Sequence, residues 1–210
     1  MKNLEFSQDS DTKIFEYLMI IPPSDSVSGK VTEIKIIFSE VHGCKNAARL
    51  TPHLTMINFL QRESMEFRII NCFDKFTQYI DPFPIELDGF GEFPHHSIYV
   101  NLSSAEPVVN LVKDMRSKFQ RILKISDFLK PTFTTKPHLT IARGMTEEQH
   151  QTVWPIYKKE EFNESFIADE MILIKREVDP FTLKAIGKYK VVHHFPFRGK
   201  HRDEQLQLAL

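Results

Sequence analysis

Apolar residues recur along this chain with two alternating rhythms, period two and period three to four, which predict strands interleaved with helices. Residues 13–21 (Lys-Ile-Phe-Glu-Tyr-Leu-Met-Ile-Ile) run nearly apolar into Pro22-Pro23, as a buried strand does. Ile34, Ile37, Phe38 and Val41 then recur at helical spacing. Met65, Ile69, Cys72, Phe73, Phe76 and Ile80 form a second helical stripe, which Pro82 and Pro84 end. Residues 85–87 and 97–102 predict strands joined by a turn containing Gly89 and Gly91, a hairpin expected to complete a sheet with the strand at 53–56. Leu111, Met115, Phe119 and Ile122 predict a third helix, and a polar, threonine-rich connection spans 126–135. Thr146 with Gln149 forms a capping-box pattern opening a fourth helix. Residues 166–175 and 188–195 predict further strands, separated by Asp179-Pro180 and Gly187.

One pentapeptide pattern occurs twice: Pro52-His53-Leu54-Thr55-Met56 and Pro137-His138-Leu139-Thr140-Ile141. In an extended strand residues two apart share a face, so His53 and Thr55 point together while Leu54 and Met56 turn toward apolar packing. His138 and Thr140 repeat this arrangement over Leu139 and Ile141. Each copy offers an imidazole and a hydroxyl about 7 Å apart, from a rise of about 3.3 Å per residue. A lone His-Leu-Thr is usually an ordinary strand detail; the matched pair is what points to chemistry.

Two imidazoles and two hydroxyls suit phosphoryl transfer. The reaction needs a proton taken from the attacking oxygen, a proton given to the leaving oxygen, and donors for the non-bridging oxygens. Imidazole, with an ordinary pKa of about 6.5, serves as base or acid near neutrality, and threonine donates without adding charge. The sequence has no HExxH, no zinc-spaced Cys/His cluster and no EF-hand loop, so the scheme calls for no metal and no cofactor. Lys136 and Arg143 flank the second motif as candidate phosphate cations, and Tyr189 is a candidate for a base or ribose pocket. The pairs His95-His96 and His193-His194, if on strands, point to opposite faces and cannot chelate as units.

The two His-x-Thr motifs, 85 residues apart (53 to 138), resemble those of the 2H phosphoesterases, which include 2′-5′ RNA ligase-like proteins and cyclic nucleotide phosphodiesterases. Phe59-Leu60 after the first motif, Arg143 after the second, and Tyr189 followed by Phe195-Pro196-Phe197 add to the resemblance, which covers residues 13–197. It implies a pseudo-symmetric, two-lobed α+β fold, with antiparallel sheets around a central cleft and helices outside. It also implies cleavage of 2′,3′-cyclic phosphates or 2′-5′ phosphodiesters at RNA ends or in small nucleotides. His53, Thr55, His138 and Thr140 would be catalytic, with His138 the base and His53 the acid. Two departures stand out: Gln61 occupies a position where many relatives have glycine, and Met56, Ile57 and Asn58 fill a stretch where many carry a basic residue. Ligation by the reverse reaction, a non-catalytic nucleotide-binding module and a structural metal site are the alternatives.

Composition narrows the setting. With 41% hydrophobic residues and eighteen phenylalanines in 210, there is ample material for a core. The expected organisation is an N-terminal tail over 1–12, one bilobal domain over 13–197 and a C-terminal tail over 198–210. A net charge of −1 argues against coating long nucleic acid, so the ligand is expected to be small or gripped locally. Cys44 and Cys72, each in a segment that reads as helical, are expected to be free thiols in a reducing compartment. The first twenty residues read as no signal peptide and no apolar run is long enough to span a bilayer, so the expectation is a cytoplasmic monomer.

Overall fold

The computed structural model describes residues 13–47, 51–179 and 181–200; the N-terminal tail expected over 1–12 and residues 201–210 of the C-terminal tail expected over 198–210 lie outside the described residues. Elements follow in the order β1 (Ile14–Ile21), α1 (Asp25–Glu40), β2 (Leu54–Arg62), a 3-10 turn (Glu63–Met65) leading into α2 (Glu66–Thr77), β3 (Phe83–Phe93), β4 (Ser97–Leu102), α3 (Glu106–Leu123) and β5 (Thr132–Phe133). They continue with β6 (Leu139–Arg143), α4 (Glu147–Tyr157), β7 (Asn163–Ala168), β8 (Glu170–Val178) and β9 (Ala185–Pro196). No described helix is long and apolar enough to cross a membrane.

Among the described residues the strands form one antiparallel sheet in the order β7-β3-β4-β6-β2-β1-β8-β9, with β5 laid against β2. Cut between β6 and β2, this order gives two sets of four, each with a motif strand innermost. That is the expected pseudo-symmetry, with the two expected sheets fused into one. They join at a single register pair, Leu54 with Leu139.

Each motif strand also carries an extra residue just after its threonine. Thr55 pairs with Ile20 and Ile57 with Met19, so Met56 is inserted; Thr140 pairs with Tyr99 and Ala142 with Ile98, so Ile141 is inserted. A β-bulge of this kind shifts which later residues share a face. Met56 and Ile57 are both buried, as are Ile141 and Ala142, and Asn58 and Arg143 are thereby turned onto the face of Thr55 and Thr140.

Beneath that face the core is aromatic. Phe73 of α2 meets Phe119 of α3 (centroids 4.4 Å apart) and Phe195 of β9 (5.7 Å), while Phe38 of α1 meets Tyr157 of α4 (4.4 Å). The expected capping box opens α4: the Gln149 amide donates to Thr146 Oγ1 (3.2 Å) and the Thr146 amide to Gln149 Oε1 (3.0 Å).

Several expectations are corrected. The β3-β4 hairpin joins the second motif strand, β6, and β1 flanks the first. Ser97, Ile98, Tyr99 and Val100 are all buried, so β4 needs a partner on both edges, and local turn signals do not say which motif strand supplies one. Gly89 and Gly91 lie inside β3, Gly89 at a register shift between Leu87 and Phe90 and Gly91 paired with Tyr99; the chain reverses at 94–96, so His95 and His96 sit in a turn, His95 with φ of 59°. The run 166–175 is two strands, because the chain crosses from the β3 flank to the β1 flank at Asp169, whose carbonyl accepts from the Phe197 amide (2.7 Å). The buried stripe of α1 is Val27, Val31, Lys35 and Phe38, while Ile37 is 44% and Val41 71% exposed. Cys44 lies past the end of α1, buried in the following loop, and Cys72 is within α2.

Candidate active site

Antiparallel register from the Leu54–Leu139 pair sets Thr140 across from His53 and His138 across from Thr55. Cross-strand neighbours of this kind hold their Cβ atoms about 5 Å apart. The two motifs therefore converge, each imidazole opposite the other motif's hydroxyl. A cleft of about 160 Å³ opens over them, lined by His53, Thr55, Thr140 and Arg143, with Lys35, Asn58, Glu16, Arg176 and Tyr189 around it.

Both histidines are anchored alike. His53 Nδ1 lies 2.8 Å from the Thr51 carbonyl and His138 Nδ1 lies 2.7 Å from the Lys136 carbonyl, each two residues earlier in the chain. A carbonyl only accepts, so Nδ1 carries the proton and donates in both rings. The lone pair that titrates is then on Nε2 of each. Proline at 52 and 137 favours an extended conformation at the residue before it, which is the one whose carbonyl anchors the ring.

Electrostatics hold both imidazoles toward their neutral form. Burial lowers the His53 pKa below the ordinary value; the Thr51 carbonyl opposes this, and the charges of Lys35, Arg143 and His138 add to the lowering. Burial also lowers His138, opposed by the Lys136 carbonyl and reinforced by the Lys136 charge. Lys35 is 2% exposed although it belongs to a surface helix, and burial, with Arg143 nearby, pushes its pKa down to about 8. It is a buried cation directed into the cleft.

The far wall is a polar network. Glu16 accepts from Asn58 Nδ2 (2.9 Å), from the Tyr189 hydroxyl (2.9 Å) and from Arg176 Nε. Burial alone would raise this carboxyl, but those three donors and the Arg176 charge hold it below its ordinary value. The Arg176 guanidinium also lies 4.5 Å from the Tyr189 ring centroid.

His138 has a different setting. Its ring packs against Tyr99 (4.7 Å) and Phe93 (5.1 Å), and Lys136 Nζ sits over the same two rings, at 5.1 and 5.4 Å. A Cβ on Gly91 would come 2.5 Å from the Tyr99 ring, so glycine there makes room for it. Of the residues singled out from the sequence, His53, Thr55, Thr140, Arg143 and Tyr189 line the cleft. His138 adjoins it through its charge on His53, and Lys136 sits on the aromatic pair instead of among the lining residues. His193 and His194 do face opposite ways, His193 Nε2 to Asp74 (3.1 Å) and His194 Nδ1 to Glu170 (2.9 Å). No group of three or more His, Cys, Asp or Glu among the described residues is placed to hold a metal ion.

Sequence reasoning missed Lys35, Glu16, Asn58 and Arg176. For Asn58 a signal was present: it stands five residues after His53, as Arg143 stands five after His138. For the others nothing local in the sequence marks them.

The model of the 2′-5′ RNA ligase superfamily matches residues 23–180. No curated protein sequence matches the chain. Among solved structures, TT0787 of Thermus thermophilus is similar with 17% identity and a TM-score of 0.59, over 89% of this chain and 100% of that one. Escherichia coli LigT complexed with 3′-AMP is similar with 15% identity and a TM-score of 0.61, over 88% and 99%. A further phosphoesterase structure is similar with 14% identity and a TM-score of 0.57, over 87% of this chain and 98% of that one.

Proposed function

The chain belongs to the 2′-5′ RNA ligase superfamily of 2H phosphoesterases, and from that premise we propose that it is a metal-independent phosphodiesterase acting on 2′,3′-cyclic phosphate or 2′-5′ phosphodiester bonds of RNA ends or nucleotides. The observation that carries this reading is the matched anchoring of two imidazoles, both Nδ1 atoms fixed by a carbonyl two residues back, beside one small cleft with two threonines. LigT has been crystallised with 3′-AMP, with NADP+, with ATP and with phosphate, which supports a nucleotide or phosphate ligand for a cleft of the same fold. The free thiols Cys44 and Cys72 are in keeping with a reducing, cytoplasmic setting.

In the proposed reaction one histidine, neutral at Nε2, takes a proton from water as the water oxygen bonds to phosphorus. The bond from phosphorus to one ribose oxygen breaks on the opposite side, and the second histidine, protonated at Nε2, gives its proton to that oxygen. A phosphomonoester and a free hydroxyl result, and the two imidazoles exchange protons with solvent before the next turnover. Family resemblance makes His138 the base and His53 the acid. Lys35 and Arg143 beside His53 disfavour its protonated form in the free protein; an anionic phosphate bound between them offsets that charge and lets His53 hold its proton when substrate is present. Thr55 and Thr140 donate to the non-bridging oxygens, and Arg143 with Lys35 neutralises them. When the neighbouring ribose hydroxyl attacks a 2′-5′ linkage in place of water, its proton goes to the base, a 2′,3′-cyclic phosphate forms and the 5′-oxygen leaves with the acid's proton; the reverse of that step joins a cyclic phosphate to a 5′-hydroxyl, so ligation is the second reading for this site.

The test is turnover of 2′,3′-cyclic AMP and of a 2′-5′-linked dinucleotide in excess EDTA, by wild type, His53→Ala and His138→Ala. General acid–base catalysis contributes about 10²- to 10⁴-fold, so each variant should fall by that order. Turnover surviving both substitutions, or abolished by EDTA, overturns the reading, and binding without turnover in wild type makes the chain a nucleotide-binding module.

A further inference from the structure

A second concavity, of about 560 Å³, lies between α2 and α3, away from the cleft. Five cations line it: Arg62, Arg68, Lys118, Arg121 and Lys124; no carboxylate does. Lys118 and Lys124 are held by exposed aspartates, Asp114 (3.2 Å) and Asp127. The three arginines have no ion-pair partner among the described residues. In a chain of net charge −1, three guanidinium groups without an ion-pair partner among the described residues line one groove and make a local positive field there. The groove floor is apolar, with Met65, Phe119, Ile122 and Ile125. The loop that continues from Ile125 presents Phe128 at 96% exposure. Cationic walls, an apolar floor and a solvent-facing aromatic are what a single strand of nucleic acid meets in grooves that track its backbone.

The groove is also connected to the cleft by one element. β2 carries Thr55 and Asn58 at the cleft, while Gln61, whose Nε2 donates to the Ile122 carbonyl (3.0 Å), turns to α3, so the groove lies on the helix-covered face of the sheet and Arg62, the last residue of β2, nine residues after His53, stands where a strand leaving the cleft would pass around the end of the sheet. At about 3.3 Å per residue the span is roughly 30 Å, too long for a mononucleotide and within reach of a short oligonucleotide.

We propose that this groove binds the phosphodiester backbone of a single-stranded RNA whose end is held in the His53/His138 cleft, so that the protein reads its substrate as an RNA terminus with several nucleotides behind it. The proposal rests on the reading of the cleft as a nucleotide phosphodiesterase site and adds where the rest of the substrate lies. Arg62, Arg68 and Arg121 would grip phosphates as charge-assisted donors, without base selectivity.

The test separates binding from chemistry. Fluorescence anisotropy with a labelled single-stranded RNA 8-mer ending in a 3′-phosphate, which offers no bond to cleave at that end, is measured for wild type and for the triple variant Arg62→Gln, Arg68→Gln, Arg121→Gln. All three residues are exposed, so the variant should fold normally, which its melting temperature checks. Wild type should bind with a strong salt dependence. The triple variant should bind at least tenfold more weakly, and its slope of log K against log salt should be shallower by about 2, at about 0.7 for each phosphate left unneutralised. Hydrolysis of 2′,3′-cyclic AMP by the triple variant should match wild type. Equal binding and equal salt slopes in wild type and variant overturn the groove proposal whatever the turnover shows. An acidic peptide displacing the RNA at equal affinity also overturns it, by assigning the groove to a protein partner. Absent turnover in wild type with intact groove binding would sink the cleft reading alone.

Discussion

The His53 and His138 halves of the site are built from the same parts and walled in opposite ways. Each has proline before histidine, a ring anchored on the carbonyl two residues back, a threonine facing the cleft and an inserted residue behind it. Around His53 stand charges: Lys35, Glu16, Arg176 and the Asn58 and Tyr189 groups bonded to Glu16. Around His138 stand aromatic rings, Tyr99 and Phe93, capped by Lys136. The cause lies in strand length past the bulge. β1 and β8 continue beyond the motif and bring Glu16 and Arg176 alongside it, whereas β3 and β4 close in a hairpin at 94–96 just where the equivalent positions would begin. In the proposed reaction the repeated parts would set the proton-transfer geometry, and the unequal walls would distinguish one side of a substrate from the other.

The repeated parts should give the largest and most equal effects. Thr55→Ala and Thr140→Ala should each slow turnover of a cyclic phosphate by about 10²-fold or more, as losing a preorganised donor does. Single-turnover rates would check this. A loss below about threefold in one alone would break the equivalence and move that threonine out of the reacting zone.

Lys35 tests the unequal part. A lysine lowered from 10.5 to about 8 carries an unfavourable burial on the order of 3 kcal/mol at neutral pH, an upper estimate from 1.36 kcal/mol per pKa unit. Lys35→Met should therefore raise stability toward that amount in urea titrations while weakening phosphate binding, and should raise the His53 pKa toward its ordinary value, seen by NMR titration of the imidazole. The His138 resonance, in the other half, should move less. A destabilised Lys35→Met would show that the ammonium is held for structure.

Arg143 and Asn58 occupy the same place in the two halves, five residues past each histidine. Arg143→Ala should raise KM for a cyclic nucleotide by about 10-fold or more, since hydrogen bonds to charged groups contribute about 1.5–3 kcal/mol. Asn58→Ala should raise it less, because Asn58 is engaged by Glu16. Equal losses would mean that both contact phosphate.

That pair also shows where the sequence was readable. Alternation alone places Thr140 and Arg143 on opposite faces, three residues apart; it took the inserted Ile141 to bring them together, and a bulge leaves no trace in an apolar pattern of Ile-Ala. The histidines and threonines were legible because they lie before the bulge, where period two still holds. Strand neighbours were not, since β4 satisfies its hydrogen bonds on either motif strand and only tertiary packing decides. Lys35 was hidden by its charge: four apolar residues at 34, 37, 38 and 41 suggested a helix face, while the buried stripe runs through 27, 31, 35 and 38. A buried lysine is the kind of local inconsistency that a functional cleft imposes and that sequence pattern reads as solvent exposure.

The smallest expected effect compares the halves through stability. Both histidines titrate below their ordinary 6.5 in the folded chain. Between the folded and unfolded values the unfolded chain binds more protons, so unfolding free energy rises with pH through that window, levels off above about 6.5 and falls as pH drops below it. Glu16, held low by its donors, loses its contribution only below the ordinary carboxylate range, so melting temperatures between pH 5 and 6.5 isolate the histidines. His53→Gln and His138→Gln should each flatten the fall, and His53→Gln should flatten it more, because Lys35, Arg143 and His138 all repel a proton there while Lys136 is the charge that does so at His138. Equal flattening would mean that burial, common to both rings, sets their protonation and that the charged wall acts on substrate alone.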